Sequence, residues 1–320
     1  MIDVRRPTTI PHGRTARRLE WSHLPPQIRA LVEERCGSPV VQADSQGAGF
    51  TPGFASVLTC ADGSRHFVKA ASDKAQRMFA AAYREEARKL AAMPPTAPAP
   101  KLLWSHDADD WMVLATEHVE SRQPRRPWSA ADLERCVAMT EQMASTLTPP
   151  PDGLVVDDFA TEFADWPDLW GRLRSSPPEV PGFADHVGEA ADLAARFREV
   201  TTGSTLVHTD VRDDNLLLTD DGRVLLCDWN WPVVGAAWLD TVLLMIGPRG
   251  DGHDVEALLG ASPLTRDLPA ESVDIVIALV TGYFLWSAQQ QVPPASPHIR
   301  DAQLWQGAVC WDWLAERRGW

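Results

Sequence analysis

From His208 to Trp231 the chain reads "HTDVRDDNLLLTDDGRVLLCDWNW". Two apolar runs, Leu216–Leu218 and Val224–Cys227, are hemmed by Asp210, Asp213, Asp214, Asn215 and Asp228. Burying charge is costly unless a partner or a metal compensates it, so acids at the mouths of hydrophobic strands call for a counterpart. Asp221-Gly222 signals a two-residue hairpin loop, because a type I′ turn needs positive φ at both central residues. Such a loop sets Asp220 opposite Arg223, Leu217 opposite Leu226 and Asn215 opposite Asp228. Directly opposed residues share a face, with Cβ atoms about 4.5–5.5 Å apart. An amide oxygen and a carboxylate then arrive together at the open end of the hairpin. These are hard donors suited to Mg²⁺, which takes one or two protein ligands and leaves the rest to phosphates and water. A hairpin with merely solvated acidic ends is the other reading of that pair.

Asp210 lies in the loop between apolar Thr205–Val207 and the hairpin. An aspartate held beside a metal-phosphate site can accept a hydroxyl proton. Arg212, two residues on, is placed to neutralise a transferring phosphoryl group. His208 taken singly reads as a structural histidine. Together His208, Asp210 and Asn215 spell H-x-D-x-x-x-x-N, and Asp228-Trp229 stands where protein kinases carry Asp-Phe-Gly. The segment resembles the catalytic loop and metal-binding segment of the aminoglycoside phosphotransferase family, small-molecule kinases with a protein-kinase-like fold. The resemblance implies Asp210 as catalytic base, and Asn215 and Asp228 as magnesium ligands. Thr209 departs from the glycine frequent in that loop. Asp240 resembles a later family aspartate and reads as structural.

A kinase-like chain also needs a β-rich lobe that cradles a nucleotide, and "QGAGFTPGFASVLTCADGSRHFVKA" (Gln46–Ala70) has its features. Gly47, Gly49 and Gly53 form a turn whose backbone N–H groups can approach phosphates, although the spacing departs by one residue from G-x-G-x-x-G. Asp62-Gly63 repeats the hairpin signal and sets Lys69 opposite Ser56. Lys69 ends "HFVK", where kinases keep the lysine that holds the α- and β-phosphates. Downstream, Phe79, Tyr83, Glu86 and Leu90 fall on one face of a helix over about 74–93. A glutamate on that face needs a cation or a wet edge, and the resemblance supplies Lys69. "MVLATEHVESR" (Met112–Arg122) looks like the family's fifth strand and hinge, where the backbone of Thr116–His118 contacts the base. The resemblance spans about Val40–Asp240.

Bulk properties agree. The 320 residues carry 30 Lys+Arg against 44 Asp+Glu, a net charge of −14, which disfavours nucleic acid and anionic membrane as partners. Five scattered cysteines without a CxxC pair argue for reduced thiols in a cytoplasm and against a zinc site. The first 18 residues are basic and lack the apolar core of a signal peptide. "IVIALVTGYFLW" (Ile275–Trp286) is shorter than the roughly 20 residues a bilayer needs and reads as a buried helix. Residues 1–24 look like a loose arm.

These readings predict an α+β, bilobal protein-kinase-like fold. Residues 1–117 would form the arm and a nucleotide-binding, β-rich lobe. Residues 118–320 would form a helical lobe with the catalytic loop, its substrate pocket built from the final 80 residues together with Ala130–Val200. The implied reaction moves the γ-phosphoryl of ATP or GTP, with Mg²⁺, to a hydroxyl of a small molecule. Antibiotic-inactivating kinases, choline kinases and other metabolite kinases share this plan. The acidic balance favours a cationic acceptor, and the 14 tryptophans suit stacking of sugars or bases, as in a nucleoside or aminoglycoside antibiotic. Two other classes compete: a non-catalytic nucleotide-binding pseudokinase, and a mononuclear metal hydrolase built on His208, Asp210 and Asp228. The hydrolase leaves Lys69 unexplained.

Overall fold

The computed structural model describes residues 5–320 other than His12, Arg14, Thr51 and Pro52. The N-terminal lobe is a five-stranded antiparallel sheet in the order β1-β2-β3-β5-β4. Its strands are β1 (Val40–Ser45), β2 (Phe54–Cys60), β3 (Arg65–Ser72), β4 (Leu102–Ala108) and β5 (Trp111–Glu117). Helix α1 (Pro26–Cys36) opens with proline and ends at Gly37, whose φ of +78° lets the chain leave the helix. Its Ile28 and Val32 pack with Phe54, Leu58, Val68 and Ala70 on one face of the sheet. Helix α2 (Arg77–Ala92) covers the other face, packing Ala80, Tyr83 and Ala87 against Ala71, Met112 and Leu114. Side chains alternate along β3, so Lys69 shares the α2 face with Ala71.

The rest of the chain is mainly helical, from α3 (Ala130–Thr146) to a long pair at Ala270–Ala288 and Ile299–Arg318. The first of that pair is long and apolar enough to cross a bilayer, yet it is packed inside the lobe. Residues 183–201 form two helices that meet at Arg196, Phe183–Ala195 and Phe197–Thr201. Short antiparallel pairs carry the opening motif: β6 (Thr205–Val207) with β9 (Val233–Gly235), and β7 (Leu216–Leu218) with β8 (Val224–Leu226). This is the α+β, bilobal, kinase-like architecture that the sequence predicts.

Both hairpins differ from expectation by one residue. Leu216 pairs with Leu226 and Leu217 with Leu225; Lys69 pairs with Ala55, not Ser56. In each loop only the glycine is left-handed, Gly63 at φ +87° and Gly222 at φ +94°. The aspartate before it keeps negative φ and uses its carboxylate locally. Asp62 Oδ1 accepts from Ser64 N at 2.9 Å, and Asp221 Oδ1 accepts from Arg223 N at 3.3 Å. The loops are therefore three-residue turns closed by a glycine bulge rather than type I′ turns. Asn215 consequently meets Cys227, whose N–H donates to its carbonyl at 2.9 Å, and Asp228 lies just beyond the ladder.

The arm is not loose over its described residues. Arg6 pairs with Asp312, and Trp305 Nε1 donates to the Arg6 carbonyl at 2.5 Å. Thr15 N donates to the Gly47 carbonyl at 2.8 Å, and Thr15 Oγ1 donates to the Gly49 carbonyl at 2.5 Å. The segment thus runs from the helical lobe to the glycine-rich turn. Residues 1–4, 12 and 14 of that expectation lie outside the described residues.

Candidate active site

Strand β6 delivers His208 to the loop, where both ring nitrogens are used for support. Nε2 lies 3.1 Å from the Cys227 carbonyl and Nδ1 accepts from Asp210 N at 3.2 Å. Burial lowers its pKa, which suits a neutral, structural imidazole. Asp240 holds the same loop from below, accepting from His208 N at 2.7 Å and Thr209 N at 2.9 Å. These bonds keep Thr209 at φ +69°, a costly conformation for a β-branched residue and the one for which glycine is the easy choice.

Asp210 is half-buried, and burial raises its carboxyl above the usual range against the pull of Arg212. Arg212 Nη1 donates to Asp210 Oδ1 at 2.7 Å, while its Nε and Nη2 donate to Asp214 at 2.9 and 3.0 Å. Its guanidinium also stands over the Phe50 ring, 5.4 Å from the centroid. Arg212 is thus bound to two carboxylates. Asn215 is buried and donates from Nδ2 to Asp210 Oδ2 at 3.2 Å and to the Asp210 carbonyl at 3.0 Å. Among the described residues no hydrogen bond engages its Oδ1.

Two distant stretches meet at Lys69. Its ammonium donates to both Glu86 oxygens, at 2.8 and 2.7 Å, and to Asp228 Oδ1 at 2.8 Å. Burial works against the lysine's charge, but Asp228 and Glu86 outweigh it and the pKa stands well above the ordinary value. Burial likewise opposes ionisation of Asp228, yet Lys69 and Arg212 hold that carboxyl down to about 2. Burial lifts Glu86 above the usual range, with Lys69 opposing. One turn along α2 from Glu86, Lys89 donates to the Asn230 carbonyl at 2.5 Å, a second tie between the lobes.

A cavity between the lobes is lined by Gly47, Gly49, Lys69, Glu86, Thr116, His118, Asn215 and Asp228. Gly53, three residues past Phe50, does not line the cavity itself; it lies against the Tyr83 side chain, which does. His118 is half-buried and held neutral by burial, with Nε2 3.2 Å from Glu120 Oε1. Phe50 and Asp214 also line a second cavity. Its other walls include Asp210, Arg212, Trp128, Leu243, Phe284 and Trp305, together with Thr8, Ile10 and Thr15 of the arm. The final 80 residues contribute to this wall, whereas none of residues 130–200 lines either cavity. Of the tryptophans flanking Asp228, Trp229 is buried and Trp231 is 60% exposed.

Sequence reasoning missed three residues here: Arg18, Tyr83 as a polar group, and Lys89. Arg18 lines the cavity between the lobes and donates from Nη2 to the Ala48 carbonyl at 2.6 Å. Tyr83 was legible only as part of an apolar stripe. The cysteines are free thiols, and three groups that the sequence did not link, Cys36, Cys60 and His66, bring their ligand atoms within 4.8 Å of one another. That is a trio gathered from three elements, one ligand short of a closed structural zinc set.

A five-stranded lobe with a lysine-glutamate pair, set over a helical lobe with an H-x-D-x-x-x-x-N loop, defines a protein-kinase-like protein. A family model described as "Phosphotransferase enzyme family" matches residues 55–270, and the chain belongs to that family. No curated protein matches the sequence. Among solved structures, the choline kinase LicA from Streptococcus pneumoniae is similar at a TM-score of 0.60 and 14% identity, covering 88% of this chain and 99% of that one. The aminoglycoside phosphotransferase from Alicyclobacillus acidocaldarius has a TM-score of 0.53 and 18% identity, covering 88% and 92%. A thermostable mutant of aminoglycoside phosphotransferase APH(4)-Ia, in ternary complex with ADP and hygromycin B, has 0.58 and 14%, covering 91% and 98%.

Proposed function

We propose that this chain is a small-molecule kinase that transfers the γ-phosphoryl of ATP or GTP to a substrate hydroxyl. The observation that carries the reading is the Lys69 ammonium held between Glu86 and Asp228 in the wall of a cavity. Phosphoryl transfer needs positioning and charge neutralisation above all, and this arrangement supplies both. In this reading residues 1–117 carry the nucleotide side and residues 118–320 the catalytic and acceptor side. Lys69 binds the phosphate chain and Glu86 keeps the lysine extended. The backbone of Thr116–His118 takes the base, and Gly47, Gly49 and Gly53 let the turn close over the phosphates. Asp210 orients the acceptor hydroxyl and receives its proton, and Arg212 fixes the Asp210 carboxylate and adds positive charge nearby.

The donor set fits Mg²⁺. Asp228 is held as a carboxylate, and the Asn215 amide spends its Nδ2 on Asp210, leaving its oxygen as a hard donor on the same cavity. When bound there, the ion would neutralise charge on the phosphate chain.

The second cavity suits the acceptor. Its Asp213 and Asp214 are already paired with Arg126 and Arg212, and much of the remaining wall is aromatic or aliphatic. This favours a hydroxyl compound with a broad apolar or ring face over a polycation, nucleoside-like antibiotics included. The test is γ-labelled ATP and GTP with a panel of aminoglycosides, macrolides, nucleoside antibiotics and amino alcohols, read as a mass gain of one phosphate. Tight binding of ATP·Mg with no phosphorylated product across that panel would point instead to a pseudokinase.

A further inference from the structure

Tyr83 is 1% exposed, yet its hydroxyl has no hydrogen-bond partner among the described residues. An orphaned buried hydroxyl costs stability, about as much as a lost hydrogen bond, so a persistent one calls for an absent acceptor. Its surroundings say which kind. The ring lies beside Lys69, with Nζ 5.5 Å from the centroid, and Tyr83 lines the nucleotide-side cavity. The hydroxyl itself abuts Gly53, where a Cβ would overlap it. Gly53 has no positive φ, unlike Gly49 at φ +81°. Its lack of a side chain therefore serves close approach rather than backbone conformation. The third glycine of the turn makes room for the tyrosine tip, directly before the start of β2, which pairs with the lysine's strand. Burial pushes the phenol's pKa up, so it stays a neutral O–H donor at physiological pH.

We propose that Tyr83 is a phosphate-binding residue, its hydroxyl donating to a phosphoryl oxygen of the nucleotide that Lys69 holds. A neutral donor adds a directional contact without adding another cation beside Lys69. The proposal rests on the kinase reading given above, and the experiment separates the two. Calorimetry with ATP·Mg, GTP·Mg and adenosine is run on the full chain and on Tyr83→Phe, alongside thermal melting without nucleotide. Wild type that binds none of these ligands refutes the kinase reading itself. If wild type binds, Tyr83→Phe is expected to weaken triphosphate binding about 10-fold while leaving adenosine binding unchanged. The melting temperature of the free variant should hold or rise, because the orphaned hydroxyl is gone. Triphosphate binding within twofold of wild type overturns the proposal. So does a loss shared equally by adenosine, or a variant that melts earlier, since either would make the hydroxyl a structural group.

Discussion

Lys69 Nζ and Asp228 Oδ1, 159 residues apart in the chain, lie 2.8 Å from each other. The contact joins the sheet of one lobe to the segment after the hairpin of the other. Glu86 holds the same ammonium from α2, so one buried cation ties three elements together. The following predictions begin from that junction.

Lys69→Met leaves Glu86 buried without its cation. Removing one partner of a buried pair costs about 3–5 kcal/mol, so urea unfolding should show a loss of that order. Adding Glu86→Gln should recover much of the stability but none of the nucleotide affinity. Recovery of both would separate the pair from nucleotide binding.

The depressed pKa of Asp228 sets a pH window. A carboxylate stabilised by its partners contributes fully above its unfolded value, near 3.9, and the contribution is lost as pH falls toward the folded value of about 2. The stability gap between wild type and Asp228→Asn should be constant from about pH 7 to 5 and shrink below about pH 4. Urea titrations across that range measure it.

Asp210→Ala should lower turnover by about 10²–10⁴-fold while nucleotide affinity stays near normal. Because burial raises this carboxyl, protonation should abolish activity at a higher pH than for an exposed aspartate. The acid limb of kcat/KM against pH would then lie above the ordinary carboxylate range. Equal turnover in the mutant would remove Asp210 from its role.

Asp240→Ala withdraws the acceptor from two backbone N–H groups. Each such charge-assisted bond contributes about 1.5–3 kcal/mol, so the loss should exceed about 2 kcal/mol, read as a fall in melting temperature. Turnover should fall as well, because Thr209 would be released from its left-handed conformation directly beside Asp210.

Deleting residues 1–13 opens a wall of the second cavity, to which Thr8 and Ile10 contribute. The acceptor KM should rise severalfold with nucleotide affinity little changed, since Thr15 and Arg18 remain to brace the glycine-rich turn. A change confined to nucleotide affinity would move the acceptor site elsewhere.

Much of this architecture is legible along the chain because it rests on short-range rules. Proline and glycine bracket α1, and a 3.6-residue period places Tyr83, Glu86 and Leu90 on one buried face of α2. Alternation marks β3. The hairpins were legible as hairpins, but their register was not. Turn type was decided by Asp62 and Asp221 bonding their own neighbours, a difference of about one hydrogen bond that a dipeptide signal does not encode.

By itself the sequence determined the chemistry on offer: H-x-D-x-x-x-x-N, the later Asp228, a strand-end Lys69 and a glutamate in an apolar stripe. Residue types and spacings are enough for that, because each depends on neighbours within a few residues. Only the tertiary structure decided which groups meet. It set Lys69 against Asp228, drew the arm across the second cavity, lodged the Tyr83 hydroxyl against Gly53, and gathered Cys36, Cys60 and His66 from three elements. Such contacts arise from packing whole faces of helix and sheet together, and no local pattern carries the energy of a surface that forms only when the lobes close.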